Sequence, residues 1–129
     1  MILFIYSLAV CIAFAEAWRD ADAIAVNAPI DHAARWMDRA VITAVLMLVL
    51  VGLGALSFWN SVYTAIGSAF LFSAAFRYRL NTLRDLPFDY VSTSNVYDSV
   101  FIGLFGFNAG RTAYLTKAII TVTALVAYY

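Results

Sequence analysis

Apolar and uncharged polar residues run without a charge from residue 40 to residue 76. One bilayer crossing takes about 20 predominantly apolar residues of helix, so a run of this length indicates two crossings. Asn60 and Ser61 are the turn-forming residues nearest its middle. The pattern therefore predicts a tight helical hairpin, with spans at about residues 40–57 and 61–76.

Two further apolar segments, at residues 2–18 and 112–129, are each close to the length of one crossing. The first contains the tripeptide A-F-A before Glu16, which resembles a signal-peptidase site. Secretory signals normally begin with positive charge, and no Lys or Arg precedes this apolar core. A retained first span is the better interpretation, and cleavage is the alternative.

Two polar connections separate these segments, at residues 19–39 and 77–111. In the first, Asn27 has the residue type of a helix N-cap, and the pattern predicts a short interfacial helix between it and the second span. Together these segments predict an all-α fold, a bundle of four transmembrane helices with short interfacial helices.

The second connection also predicts a helix. Asn95 and Asp98 have the spacing of a capping box, in which the acidic side chain reaches back to the cap residue. The helix would continue through the apolar residues 100–105 and end at residues 108–110. Because this apolar run is too short to cross a bilayer, we expect it to lie flat in the interface.

Small residues recur at every fourth position of the third span, as Ser61, Ala65, Ala69 and Ser73. Small side chains allow close approach of another helix, which is how helices associate in lipid. We expect this stripe to be a helix–helix seam. Such stripes also permit homo-oligomers or association with another membrane protein.

Composition supports the membrane class. Of the 129 residues, 64% are apolar and 12% are charged, whereas soluble domains are about half apolar and a quarter charged. So short a chain cannot carry a sizeable soluble domain beside four spans. The formal net charge is zero and there is no basic tail, so no nucleic-acid partner is indicated.

Charge placement predicts the topology. With four spans, all the basic residues flank the same side of the membrane: Arg19, Arg35, Arg39, Arg77, Arg79, Arg84, Arg111 and Lys117. The positive-inside rule then places both termini outside and both connections in the cytoplasm of a multi-pass inner (cytoplasmic) membrane protein. The charged residues of segments 16–39 and 77–117 are here called the polar cap. Since the charged residues lie at or beyond one end of each predicted span, a pore or a midplane transporter, which would need ionisable groups deep within the spans, is disfavoured.

The polar cap contains one candidate catalytic or metal-binding group. Glu16 and Asp20 stand four residues apart, hence on one helical face, and need a cation between them. This cation could be a divalent metal with His32 as a nitrogen ligand, or the side chain of a nearby arginine. The candidate metal ligands are Glu16, Asp20 and His32; with Asp98 they are also the candidate catalytic residues. No other cofactor is indicated.

Three arginines follow the third span. Arg77, Arg79 and Arg84 are candidates for binding a lipid phosphate, because guanidinium groups pair well with phosphate oxygens. Cytoplasmic anchoring of the span explains them equally well.

The polar cap also carries a resemblance. The segment Glu16-Ala17-Trp18-Arg19-Asp20, His32, the segment Arg79-Leu80-Asn81, Arg84, Tyr90 and Asp98 together resemble the scattered polar pattern of uncharacterised small polytopic membrane proteins of tailed-phage and bacterial genomes. This resemblance implies a small multi-pass protein, with a phage origin as one reading. It implies no activity.

The sequence leads to three hypotheses for function. The first is a non-enzymatic integral membrane protein whose polar cap contacts lipid headgroups or a membrane partner. The second is a metal-dependent enzyme acting on a lipid-like substrate at the membrane interface. The third is a holin-like lesion former, although the polar cap is larger than that role requires.

Overall fold

The computed structural model describes residues 1–30, 32–92 and 96–129, and within these ranges every regular element is a helix. The elements are α1 (Ile2–Ala25), α2 (His32–Gly52), α3 (Phe58–Leu83), α4 (Val96–Phe105), a short 3₁₀ turn (Gly106–Asn108) and α5 (Ala109–Tyr128). Helix α3 contacts α1, α2 and α5, and α4 packs on α5. The predicted all-α fold is confirmed.

The first connection differs from its prediction. Among the described residues no separate helix lies between α1 and α2, since α2 begins at His32 and continues unbroken to Gly52. Asn27 does not cap it: its φ of 53° is left-handed, and its N–H donates to the carbonyl of Ile24 at the end of α1. An N-cap needs extended backbone, whereas Asn tolerates the left-handed conformation that closes a helix.

The hairpin turn lies earlier than predicted. Helix α2 ends at Gly52, and Gly54 takes a φ of 69° that costs glycine nothing. Ser57 then caps α3, because its hydroxyl accepts a hydrogen bond from the Asn60 N–H at 3.2 Å. Asn60 and Ser61 therefore belong to the first turn of α3, and the predicted turn at these two residues was wrong.

The predicted short helix in the second connection is confirmed as α4. Its predicted end was wrong, because Gly106 with a φ of 56° closes it and α5 already begins at Ala109. Asn95, the other member of the proposed capping box, lies outside the described residues.

Burial is inverted relative to a soluble bundle. The buried residues of the described chain are mainly small or polar, among them Ala13, Ala17, Thr64, Ser68 and Ala113. Large apolar side chains point outward instead: Phe4 is 71% exposed, Leu48 70% and Val126 69%. Small side chains at helix contacts with large ones outside are the pattern of helices packed in lipid.

The seam on α3 runs along a different line from the predicted stripe. Its buried positions include Ser61, Thr64, Gly67 and Ser68, whereas Ala69 is exposed. Each four-residue step turns about 40° around a helix of 3.6 residues per turn, so a strict four-residue stripe drifts off any contact face. The predicted seam through Ala69 was wrong.

Among the described helices, α1 alone is long and apolar enough by composition to cross a membrane. Signal sequences and core helices of soluble proteins can have the same composition. Only 28% of its most apolar window is buried, so α1 is not enclosed in the manner of a core helix.

Candidate functional site

The charged residues meet at one end of the bundle around a cavity of about 570 Å³. Walls come from the end of α1, the start of α2, the end of α3 and the segment 84–92 with α4. We call it the arginine cavity; its lining includes Asp20, Arg35, Trp36, Arg39, Phe72, Phe76, Arg77, Asn81, Arg84, Tyr90, Ser92 and Asp98.

Two ion pairs cross from α1 to α2. Asp20, only 1% exposed, pairs with Arg35, and Glu16 pairs with Arg39. The two carboxylates lie four residues apart on α1 and the two arginines four apart on α2, so both pairs follow from helical spacing. The arginines supply the cations that the paired carboxylates need.

A third ion pair joins α3 to α4. Arg77 pairs with Asp98, which is 5% exposed. The other carboxylate oxygen of Asp98 accepts a hydrogen bond from the Ser92 backbone N–H at 3.0 Å. Because a buried charge is costly unless paired and hydrogen-bonded, Asp98 fixes α4 and the preceding segment against α3.

One wall of the arginine cavity is aromatic. The Arg39 guanidinium carbon lies 4.7 Å from the ring centroid of Phe72, 5.6 Å from that of Phe76 and 5.5 Å from that of Trp36. A cation over ring faces is attracted by their electron density. Arg39 is thus held by one carboxylate and by the aromatic wall.

The segment between α3 and α4 is anchored by Asn81. Its side-chain amide donates to the carbonyls of Phe88, at 3.2 Å, and Tyr90, at 3.0 Å. Farther along, Asp89 pairs with Arg111 of α5 at 3.0 Å. These contacts fix the wall that carries Tyr90.

The proposed metal and catalytic residues are brought together only in part. Asp20 and Asp98 line the same cavity, and Glu16 lies beside it, but each is paired with an arginine. In the part of the chain that the structure describes, no three His, Cys, Asp or Glu side chains converge as ligands. The His32 side chain lies outside the described residues, so its predicted role remains a prediction.

The proposed phosphate-binding arginines separate into two groups. Arg77 of α3 and Arg84, the residue that directly follows α3, line the arginine cavity. Arg79 instead lies over the rings of Phe14 and Trp18 on α1, at 5.9 and 5.8 Å. Residues two apart on a helix point in nearly opposite directions, which explains the separation.

Sequence reasoning missed the aromatic wall and the anchoring role of Asn81. Phe72 and Phe76 were readable only as lipid-facing or packing residues. An amide near a helix end carries no signal for which later carbonyls it will meet, because that depends on the path of the following segment.

Comparison with family models, curated proteins and solved structures found no match for the chain. The arrangement itself is suited to binding rather than to nucleophilic chemistry. It presents four arginines and two aspartates beside an aromatic surface, a combination that suits an anionic group attached to an apolar body.

Proposed function

We propose that the protein is a four-span integral protein of the inner (cytoplasmic) membrane, with both termini outside. Its polar cap lies at the cytoplasmic surface and contacts lipid headgroups. The role is one of binding at the membrane surface and involves no catalytic step.

The inverted burial is the observation that carries this proposal. Large apolar side chains are exposed along α1, α2 and α5, as at Leu3, Ile42, Val45, Ile119 and Val122, while alanine, serine and threonine fill the contacts with α3. Soluble monomers rarely expose contiguous apolar patches beyond a few hundred Å². Lipid chains around α1, α2, α3 and α5 would cover these side chains.

The second support is the one-sided distribution of charge. Helices α2 and α5 begin, and α1 and α3 end, at the polar cap, and the opposite ends carry no charged side chain. Such an excess of Lys and Arg on one side is the signal that orients membrane proteins, with the positive side in the cytoplasm. It also suits contact with anionic lipids, which attract each basic residue by about 1 kcal/mol.

Reporter fusions in a bacterial host test the proposal. We expect alkaline phosphatase to be active when fused after Tyr129 and inactive when fused after Asp85, and a cytoplasmic fluorescent reporter to give the reverse. The full chain should stay in the membrane fraction after alkaline carbonate washing. An inactive phosphatase at Tyr129, or release by carbonate, would contradict the four-span proposal.

A further inference from the structure

Helices α1 and α2 are joined at the polar end by arginine side chains, with no direct backbone packing. Among the described residues, no Cα atom of α1 lies within 8 Å of one of α2. Packed helices have axes about 8–10 Å apart, and at that separation some Cα atoms of the two helices lie less than about 8 Å from each other. The pairs Asp20–Arg35 and Glu16–Arg39 therefore bridge a gap between α1 and α2.

The arginine cavity changes in polarity along α3. Phe72 and Phe76, with Trp36 of α2, form its apolar end, and Asn81 and Arg84 form its polar end. From Phe72 to Leu83, the residue before Arg84, the helix rises about 16 Å. With the polar cap at the membrane surface, the apolar end lies toward the bilayer and the polar end toward water.

The arginine cavity has one positive charge more than its carboxylate partners balance, which suits one bound anion. Arg35, Arg39 and Arg77 each have a carboxylate partner, whereas Arg84 has no ion pair among the described residues. In addition, Nη1 of Arg77 is a buried N–H donor without a hydrogen-bond partner. A phosphodiester carries one negative charge and several acceptor oxygens, which match one unpaired guanidinium and a spare donor.

We infer that the arginine cavity binds one anionic phospholipid, with its phosphodiester at Arg77 and Arg84. Its chain lies along the aromatic wall and leaves through the gap between α1 and α2 into the bilayer. This inference rests on the proposed membrane location and adds a defined binding site to general headgroup contact. A water-soluble phosphoester shares the headgroup chemistry but has nothing to place in the gap.

Fluorescence of Trp36 tests the site, because this residue lines the cavity. The double variant W18F/W59F leaves it as the single tryptophan reporter. In vesicles of phosphatidylcholine with a minor fraction of brominated lipid, we expect brominated phosphatidylglycerol to quench Trp36 more than brominated phosphatidylcholine. Equal quenching by the two lipids would overturn the inference.

Arg84→Gln in this background tests the phosphate contact. We expect it to weaken the preference for phosphatidylglycerol by about fivefold, the effect of one basic residue at an anionic headgroup. Arg19→Gln is the matched control: Arg19 is also an exposed cap arginine but does not line the cavity. Equal losses in both variants would indicate only diffuse surface attraction and would overturn the site.

Thr43→Phe tests the chain in the gap. Thr43 continues the face of α2 that carries Arg39 and Met47, whereas Ala44 is exposed. We expect Thr43→Phe to abolish the preference and Ala44→Phe to leave it intact. Competition by glycerol phosphate in water, or a preference that survives Thr43→Phe, would overturn lateral chain binding.

The controls separate this inference from the proposed function. Arg84 is exposed, so its variant tests the site even if Thr43→Phe does not fold. If the W18F/W59F protein shows no preference for phosphatidylglycerol while the reporter-fusion pattern is as expected, the site is refuted and the four-span proposal stands. Release by carbonate would refute both.

Discussion

The two ends of the bundle are stabilised by different interactions. At the polar end, buried Asp20 and Asp98 each face an arginine, and Asn81 fixes a neighbouring segment by hydrogen bonds. At the opposite end, an apolar cluster of Ile5, Met47 and Leu56 packs with Leu50, Val51, Ala65 and Tyr128. Directional pairs fail abruptly when one partner is lost, whereas apolar contacts change in proportion to the area removed. The polar end should therefore be the more sensitive to single substitutions.

Glycine contacts show the same difference on a smaller scale. At the polar end, a Cβ added to Gly110 would collide with the backbone carbonyl of Asp89. In the apolar half, a Cβ added to Gly67 would meet the hydroxyl end of the Tyr6 side chain and lie 3.1 Å from the Ala124 Cβ. A side-chain end can shift more easily than a backbone carbonyl, so the two positions should differ in tolerance.

The largest effect is expected at Asp98. Asp98→Ala leaves the mostly buried Arg77 without its carboxylate, and breaking a buried pair costs about 3–5 kcal/mol of unfolding free energy. Unfolding of the purified protein in mixed micelles measures this. Asp38→Ala is the control, because Asp38 is exposed and has no ion pair among the described residues. Equal effects of the two substitutions would refute the buried-pair account of the polar end.

Gly110→Ala should come next. The new methyl group must displace the segment that carries Asp89, and we expect a loss of about 3 kcal/mol through overpacking. The matched control is Gly103→Ala in α4, where an added Cβ has nothing within 4 Å. In that control the unfolding free energy should rise by up to about 1 kcal/mol, because Ala has a higher helix propensity than Gly. A stabilised Gly110→Ala protein would exclude the close approach.

Gly67→Ala should cost less, about 1–2 kcal/mol by overpacking. The Tyr6 hydroxyl is buried without a hydrogen-bond partner, so Tyr6→Phe alone should be nearly neutral. Adding Tyr6→Phe to Gly67→Ala should restore part of the loss, since it removes the nearer colliding atom and leaves the ring carbon Cζ 2.8 Å from the new Cβ. A double-mutant cycle measures this coupling, and strict additivity would contradict the contact.

The smallest effect is expected at Ala69. Because this residue is exposed, Ala69→Leu should change the unfolding free energy by less than about 0.5 kcal/mol. Ser68→Leu, at the adjacent buried position, should be clearly destabilising. If Ala69→Leu lowers the unfolding free energy as much as Ser68→Leu does, the helix–helix seam runs through Ala69 after all.

Much of the fold could be predicted from local pattern. Apolar runs located α1, α2, α3 and α5, and a short apolar run located α4, since these signals depend only on neighbouring residues. Boundaries were less predictable. Gly52, Gly54 and Asn60 are all residue types that favour a turn. The position of the turn depends on the extended backbone of Ser57, which lets its side chain cap α3.

The candidate site was predictable as a set of charges but not as a geometry. Spacing alone placed Glu16 and Asp20 on one face and required a cation beside them. It could not choose between a metal and Arg35 or Arg39, because that choice depends on how α2 lies against α1. Arg77 and Arg79 likewise have the same chemistry. Which of them faces the cavity depends on how α3 is rotated about its axis relative to its neighbours.

The sequence by itself determined the helices, their apolar character and the collection of all basic residues in segments 16–39 and 77–117, because these are properties of chain order. Tertiary structure alone decided which carboxylate meets which arginine, that Phe72 and Phe76 form a cavity wall, and that Ala69 lies outside the seam. These outcomes depend on the rotation and separation of helices. Both are set by the sum of many small contacts between residues far apart in the chain.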